Sequence, residues 1–362
     1  MTTKSNEEFN GTRPSVVVRA LTWAARHQVR VFCALALAAV LIAEIWLHAL
    51  PFPPYAADML FYQAADLSVH RESDDPKLLI ELTPGAKDVY ERPGQTRRVV
   101  SINRLGLRGS DRDAAKPGGI FRVLMLGSST TFGASVSDDE TLSAQMERRL
   151  NATGAGRYEV WNAGVNSYGP AQMAALGDRL LAGGASPDLI VFQLFLTGPR
   201  AFLKDRPRIE PFEKDSTLAA EYFVLPSVVG ERAPGWLVAR SRLALLLLAH
   251  GNRMIPSEQM QERLVLVQRE HHRRALAGFV ARHASVAPIR AFVMPCADPA
   301  EVADLLELAA TSGLDPWCVP PEVDTQEYLD AHPAPHVYDS YARLLIDRWC
   351  DENLLGDACR SS

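Results

Sequence analysis

The stretch Phe121-Arg122-Val123-Leu124-Met125-Leu126-Gly127-Ser128-Ser129-Thr130-Thr131-Phe132-Gly133 sets the architecture of this chain. Residues 121–126 form a short, mostly apolar run of the kind that becomes a strand buried on both faces. A turn rich in hydroxyls follows, bounded by two glycines. Outward from it, further strands are predicted at 158–161, 189–195 and 289–294. Helices are predicted between them: 137–150, opened by the N-terminal signature Ser137-Asp138-Asp139-Glu140, and 170–181, with Pro170 in the first turn. Others are expected at 238–250, 257–284 and 299–312, and a last one at 338–349. Strands alternating with helices predict an α/β three-layer sandwich with a mostly parallel central sheet. Function in such sheets collects at the carboxyl ends of strands. The loops 127–133, 162–169, 196–200 and 330–336 are therefore the candidate site loops.

Composition narrows the partners. The 362 residues are 47% apolar and 22% charged, which excludes general disorder. With 38 Lys+Arg against 43 Asp+Glu the net charge is −5, which excludes a nucleic-acid partner held by bulk positive charge. Five cysteines with no C-x-x-C spacing exclude structural zinc. Residues 1–30 carry a net +3, however, and thirteen consecutive apolar residues, 31–43, follow directly. Extended to residue 50, that run has the 20 residues a membrane-crossing helix needs. Glu44, Trp46 and His48 sit near its far end, at interfacial depth. The basic flank then places the N-terminus in the cytoplasm and the remainder outside, in the periplasm or beyond the cell. The expected layout is a basic tail at 1–30, a transmembrane signal anchor at 31–50, a linker with a β extension at 51–115 and the α/β domain at 116–362. A cleaved signal peptide is the alternative reading of the same run. A second apolar run, 243–249, is too short to span and predicts a buried helix. Cys33 lies within the span, whereas Cys296, Cys318, Cys350 and Cys359 fall in an oxidising compartment. At least one disulfide is expected among those four, with the pairing open. His271-His272-Arg273-Arg274 reads as a solvated helix face.

The loop after the first strand fits no nucleotide motif. Ala134 stands where a Walker A loop needs Lys, and Thr131 stands where a G-x-S-x-G elbow needs its second glycine. Helix capping alone accounts for its hydroxyls. The distant segment Leu329-Asp330-Ala331-His332-Pro333 adds what a serine nucleophile requires. His332 would take the proton, and Asp330 would fix the imidazole tautomer. Two residues apart in an extended loop, both side chains project to one side. His336 competes for the base on sequence alone.

With these segments in place, the chain resembles the SGNH (GDSL) hydrolase family over about residues 78–349. Residues 126–133 match the nucleophile block and put Ser129 at the nucleophile. Asn162-Ala163-Gly164 matches the second block, whose glycine amide helps form an oxyanion hole. Asp330-Ala331-His332-Pro333 matches the last block. Residues 102–109 resemble the β extension of membrane-anchored members. The resemblance implies a catalytic triad of Ser129, Asp330 and His332, oxyanion contacts from Gly164, and no metal or organic cofactor. It also implies an ester-bearing substrate, and the exported position favours an acylated glycan or lipid, with the bilayer as the other partner. Two departures stand out. Ser128 replaces the Asp of the first block, and no Asn occurs between Asn166 and Asn252, where the third block should supply an oxyanion donor. Thr197 stands nearest that position, with Gln193 and Asn166 as other substitutes. Acyl transfer to a sugar hydroxyl, and a non-catalytic binding protein on the same fold, are the rival readings.

Overall fold

The computed structural model describes residues 27–49, 69–90, 97–195, 257–294, 302–320 and 332–360, with shorter pieces between them. It divides into two compact units: residues 1–51 with 241–243, and the remainder.

In the first unit, helix α1 (Gln28–Ala49) has 22 residues and a mean hydropathy of 2.2 over its most apolar window. At ~1.5 Å per residue it is about 33 Å long, enough to cross a hydrocarbon core. Its apolar side chains face outward; Phe32 and Ile45 are more than 70% exposed. The one acidic side chain in α1 is satisfied within the unit. The Glu44 carboxylate accepts from Ser241 Oγ (3.0 Å), Arg242 N (2.7 Å) and Leu243 N (3.0 Å), and lies 3.0 Å from His48 Nε2.

The second unit opens with two antiparallel pairs, β1 (His70–Glu72) with β2 (Ile80–Leu82) and β3 (Lys87–Tyr90) with β4 (Arg98–Ser101). The main sheet comprises β5 (Ile120–Gly127), β6 (Arg157–Gly164), β7 (Leu189–Gln193), β8 (Ile289–Val293) and β9 (Pro316–Cys318). Every pairing in it is parallel, and the order is β9-β8-β7-β5-β6. This is the doubly wound order, with its switch point between β5 and β7.

Alternate residues of each strand feed opposite cores, as the two-residue pleat requires. Leu124, Leu126, Ile190 and Phe192 pack with helices α4 (Pro170–Ala182), α5 (Ser257–His283) and α6 (Ala303–Thr311). Val123, Met125, Leu189 and Val191 pack with α3 (Leu142–Ala152) and the last helix, α7 (Pro335–Asp351). Val69, Leu78, Ile80, Leu82, Val100, Ile102 and Leu107 join the first of these cores, so the β extension and the main sheet share one interior.

Several sequence expectations are corrected here. The helix expected over 137–150 is broken: Asp138–Glu140 is a single 3₁₀ turn, and Thr141, extended at φ −64° and ψ 156°, caps α3 by accepting from Ala144 N. The second strand continues past residue 161, because Asn162, Ala163 and Gly164 pair with Met125, Leu126 and Gly127. Strand β9 was not foreseen; three residues that begin with Pro316 carry little periodic signal. His272 is buried rather than solvated, and its Nδ1 accepts from Ala171 N at the start of α4. In the run 243–249 expected to be buried, Leu247 is 62% exposed.

Cysteines pair as Cys296–Cys318 and Cys350–Cys359. The first bond ties β9 to the chain leaving β8, and closing a loop of that size contributes about 3 kcal/mol. The disulfides and the apolar N-terminal helix together are the features of a secreted or extracytoplasmic protein.

Candidate active site

Beyond the carboxyl end of β5, at the switch point, the chain forms a one-turn helix, α2 (Ser129–Phe132). Ser128 caps it in an extended conformation, and Gly133 ends it at φ +82°, a left-handed position that suits glycine. A Cβ at Gly133 would also fall 2.7 Å from Thr141 Cγ2 and 3.1 Å from Arg108 Nη1. Phe132 is 2% exposed, and burial of such a ring contributes about 1.5–3 kcal/mol toward holding the turn down.

Ser129 Oγ lies 2.8 Å from His332 Nε2, across 203 residues of sequence. His332 opens the short strand β11 (His332–Pro333), which pairs with β10 (Tyr328–Leu329). Two hydroxyls fasten this region to the α2 turn: Ser135 Oγ donates to Pro333 O (2.6 Å), and Tyr338 Oη, from α7, donates to Thr130 O (2.8 Å). His336, the competing base, is exposed on the first turn of α7. Ser129 and His332 are both half-buried, accessible to a substrate. Asp330 and Thr197 lie outside the described residues.

The second-block residues also hold the turn together. Asn162 is fully employed as a splint: its Nδ2 donates to Thr131 O (2.8 Å), and its Oδ1 accepts from Gly164 N (3.0 Å). The Gly164 amide expected at an oxyanion hole therefore has a partner already. Glycine is required at 164 for a packing reason, since a Cβ there would lie 2.2 Å from Phe132 N. Gln193 is also committed. Buried at the end of β7, it accepts from Thr131 Oγ1 (3.2 Å) and reaches Met294 O (3.4 Å). Asn166 is buried, and among the described residues its Oδ1 has no partner. Ser167 beside it is one of three described non-glycine residues at positive φ, +66°.

Sequence reasoning missed Arg108. Asn103 shapes the loop that delivers it, its Oδ1 accepting from Leu105 N and Leu107 N (both 3.0 Å). Arg108 then bridges to Asn162 on the edge strand β6 and turns its side chain under α2. A cavity of about 400 Å³ lies on that side, lined by Arg108, Arg112, Asp138, Glu147 and Asn162 among others. Neither Ser129 nor His332 lines it, so it is not the space a substrate of this pair would use. Among the described residues no group of three or more His, Cys, Asp or Glu is placed to hold a metal ion.

Fold and site together define a parallel α/β protein with a serine–histidine pair at its switch point. No family model matches this chain, and no curated protein matches it. Similar solved structures include a G-D-S-L family protein from Desulfitobacterium hafniense (11% identity, 62% of this chain and 97% of that one, TM-score 0.32). A catalytic mutant of an acetylxylan esterase from Geobacillus stearothermophilus is another (10% identity, 67% and 97%, TM-score 0.34). A third is the psychrotrophic esterase EstA from Pseudoalteromonas sp. (10% identity, 64% and 98%, TM-score 0.35). At these identities the likeness is one of fold.

Proposed function

We propose that this chain is a membrane-anchored, extracytoplasmic serine esterase of the SGNH type, acting on an acylated glycan or lipid. The observation that carries the reading is the 2.8 Å approach of Ser129 Oγ to His332 Nε2 at the carboxyl edge of the sheet. A serine hydroxyl is a weak nucleophile until a neighbouring base accepts its proton. Ser129 Oγ attacks the ester carbonyl as its proton passes to His332 Nε2, giving a tetrahedral oxyanion. The oxyanion collapses, the alcohol departs with the proton from His332, and Ser129 is left acylated. Water then attacks the acyl-enzyme while His332 takes its proton, and the acid is released. Asp330 is assigned to orient His332. With Gly164 N–H occupied, the oxyanion contacts are assigned to the Ser129 amide, the turn holding Asn166 and Ser167, and Thr197.

The apolar helix α1 supports anchoring, and the disulfides support an oxidising exterior. An acyl-enzyme can also be resolved by a sugar hydroxyl, which would make the protein an O-acyltransferase. The absent third-block Asn favours a non-catalytic binding protein instead, because losing one oxyanion donor costs about 2.7–4 kcal/mol of transition-state stabilisation. Labelling with a fluorophosphonate separates the catalytic readings from the non-catalytic one. The wild-type protein is expected to label at Ser129 and Ser129→Ala not at all. Absence of labelling in the folded wild type would remove the esterase reading.

A further inference from the structure

We propose that Arg108, delivered by the β extension, is a positioning residue that holds Ser129 and His332 in register. This rests on the esterase reading of the pair. A helix of one turn cannot hold its own shape, since a single turn fixes several backbone dihedrals for very few hydrogen bonds. Helix α2 retains only Phe132 N to Ser128 O, and Gly133 N and Ala134 N to Ser129 O. Gly133 O accepts from Val136 N (3.1 Å) just beyond the helix, whereas the carbonyls of Thr130, Thr131 and Phe132 must find partners elsewhere or remain unsatisfied.

All three are met by side chains from other elements. Tyr338 Oη donates to Thr130 O and Asn162 Nδ2 to Thr131 O, both at 2.8 Å. Arg108 takes the rest. Its Nη1 donates to Phe132 O (2.6 Å) and to Gly133 O, and its Nη2 donates to Val136 O (2.6 Å). Its Nε donates to Asp138 Oδ1 (3.1 Å), and the guanidinium lies 4.7 Å from the centre of the Phe132 ring. The side chain is wholly buried.

Only a planar fork with five donors spans this set; lysine offers a point charge that reaches one or two of these oxygens. The grip acts on both members of the pair. Phe132 O and Gly133 O fix the end of the helix that carries Ser129. Gly133 O and Val136 O flank Ser135, whose hydroxyl holds Pro333 O, one residue from His332. A shift of about 1 Å in such a constellation can lower a rate about 100-fold.

The test compares Arg108→Lys with Arg122→Lys, a second wholly buried arginine at the other end of β5, in the full-length protein in detergent. Two measurements are made: p-nitrophenyl acetate kinetics, and hydrogen exchange of the segment 129–136. Arg108→Lys is expected to lower kcat about 10- to 100-fold with KM within about threefold, and to speed exchange in 129–136 while β7 and β8 keep their protection. Arg122→Lys is expected to leave kcat and the exchange of 129–136 unchanged. Equal kcat losses in the two variants, or unchanged exchange in 129–136 of Arg108→Lys, would overturn the assignment. A folded wild type that neither hydrolyses nor labels would defeat the esterase reading, and exchange alone would then decide whether Arg108 holds the turn. If Arg108→Lys does not fold, Ser135→Ala carries the decision. It removes only the link to Pro333 and is expected to lower kcat about tenfold without moving KM; a kcat unchanged in that variant overturns the relay.

Discussion

At its amino end β5 carries Arg122, and at its carboxyl end it runs into the turn held by Arg108; both guanidinium groups are fully buried. Their partners differ. Arg122 meets the carboxylate of Glu159 at 2.9 Å, donates to Ala114 O and Asp113 O, and lies 4.1 Å from the Trp161 ring. Its own N–H donates to Asp188 Oδ2, whose other oxygen holds Lys116. Charge there is answered by charge. Arg108 faces three carbonyl oxygens, and its carboxylate partner Asp138 is 24% exposed. Among the described residues no carboxylate contacts α2 itself. The stabilising end of the strand can tolerate full ion pairs. On the proposed esterase reading, an end that accepts a developing oxyanion is better served by a cation held mainly through dipoles, since a carboxylate beside it would oppose that charge.

Variants can break or sharpen this contrast. The largest effect belongs to the reacting end: Ser129→Ala and His332→Ala should each lower ester hydrolysis by at least about 10⁴-fold, measured as kcat/KM on p-nitrophenyl acetate. Next comes the stabilising end. Arg122→Met leaves the half-buried Glu159 without its cation, though Trp161 Nε1 still donates to it, and should cost about 3 kcal/mol in urea unfolding, with the labelling rate of the folded fraction unchanged. A loss of labelling rate in that variant would mean the two ends are not separable.

A smaller effect is expected at Glu81 in the β extension. Burial pushes its carboxyl upward, but hydrogen bonding and charge from Arg179, charge from Arg71 and a bond from Ser73 outweigh this and leave it below 4.5. A depressed folded value means the contribution is present above the unfolded value and is lost as the pH falls through the folded one. Both arginines are about half exposed, which screens the pair, so Glu81→Gln should cost only about 1 kcal/mol at neutral pH. The gap between wild type and variant should close below pH 4.5, read from urea midpoints. The smallest effect is His336→Ala, expected to change kcat less than about twofold because the residue is exposed on α7. A loss matching that of His332→Ala would reopen the choice of base.

The central strands were legible because burial on both faces leaves continuous apolar runs such as 121–126 and 189–195. The approach of Ser129 to His332 was legible because their loops carry residue types with few other uses in that combination. What remained hidden is long-range. Leu105-Gly106-Leu107-Arg108-Gly109 reads locally as a turn, and nothing in it announces carbonyls 24 to 28 residues downstream. Tyr338 looked like the first residue of a helix. The steric need for glycine at 164 was also hidden, because spacing alone says nothing of the 2.2 Å approach of Phe132 N. The break at Thr141 was hidden by Ser137 and Glu140, whose reciprocal capping satisfies the signature of a longer helix.

The 203 residues between Ser129 and His332 also order events in time. A chain made at about 5–20 residues per second needs roughly 10–40 s to pass from one to the other. Throughout that interval the hydroxyl exists without its base. Contacts of such separation close late, after the local structure around each partner has formed. On the proposed esterase reading, the nascent chain is therefore chemically silent until α7 has docked, and reactivity reports that the two distant segments have met.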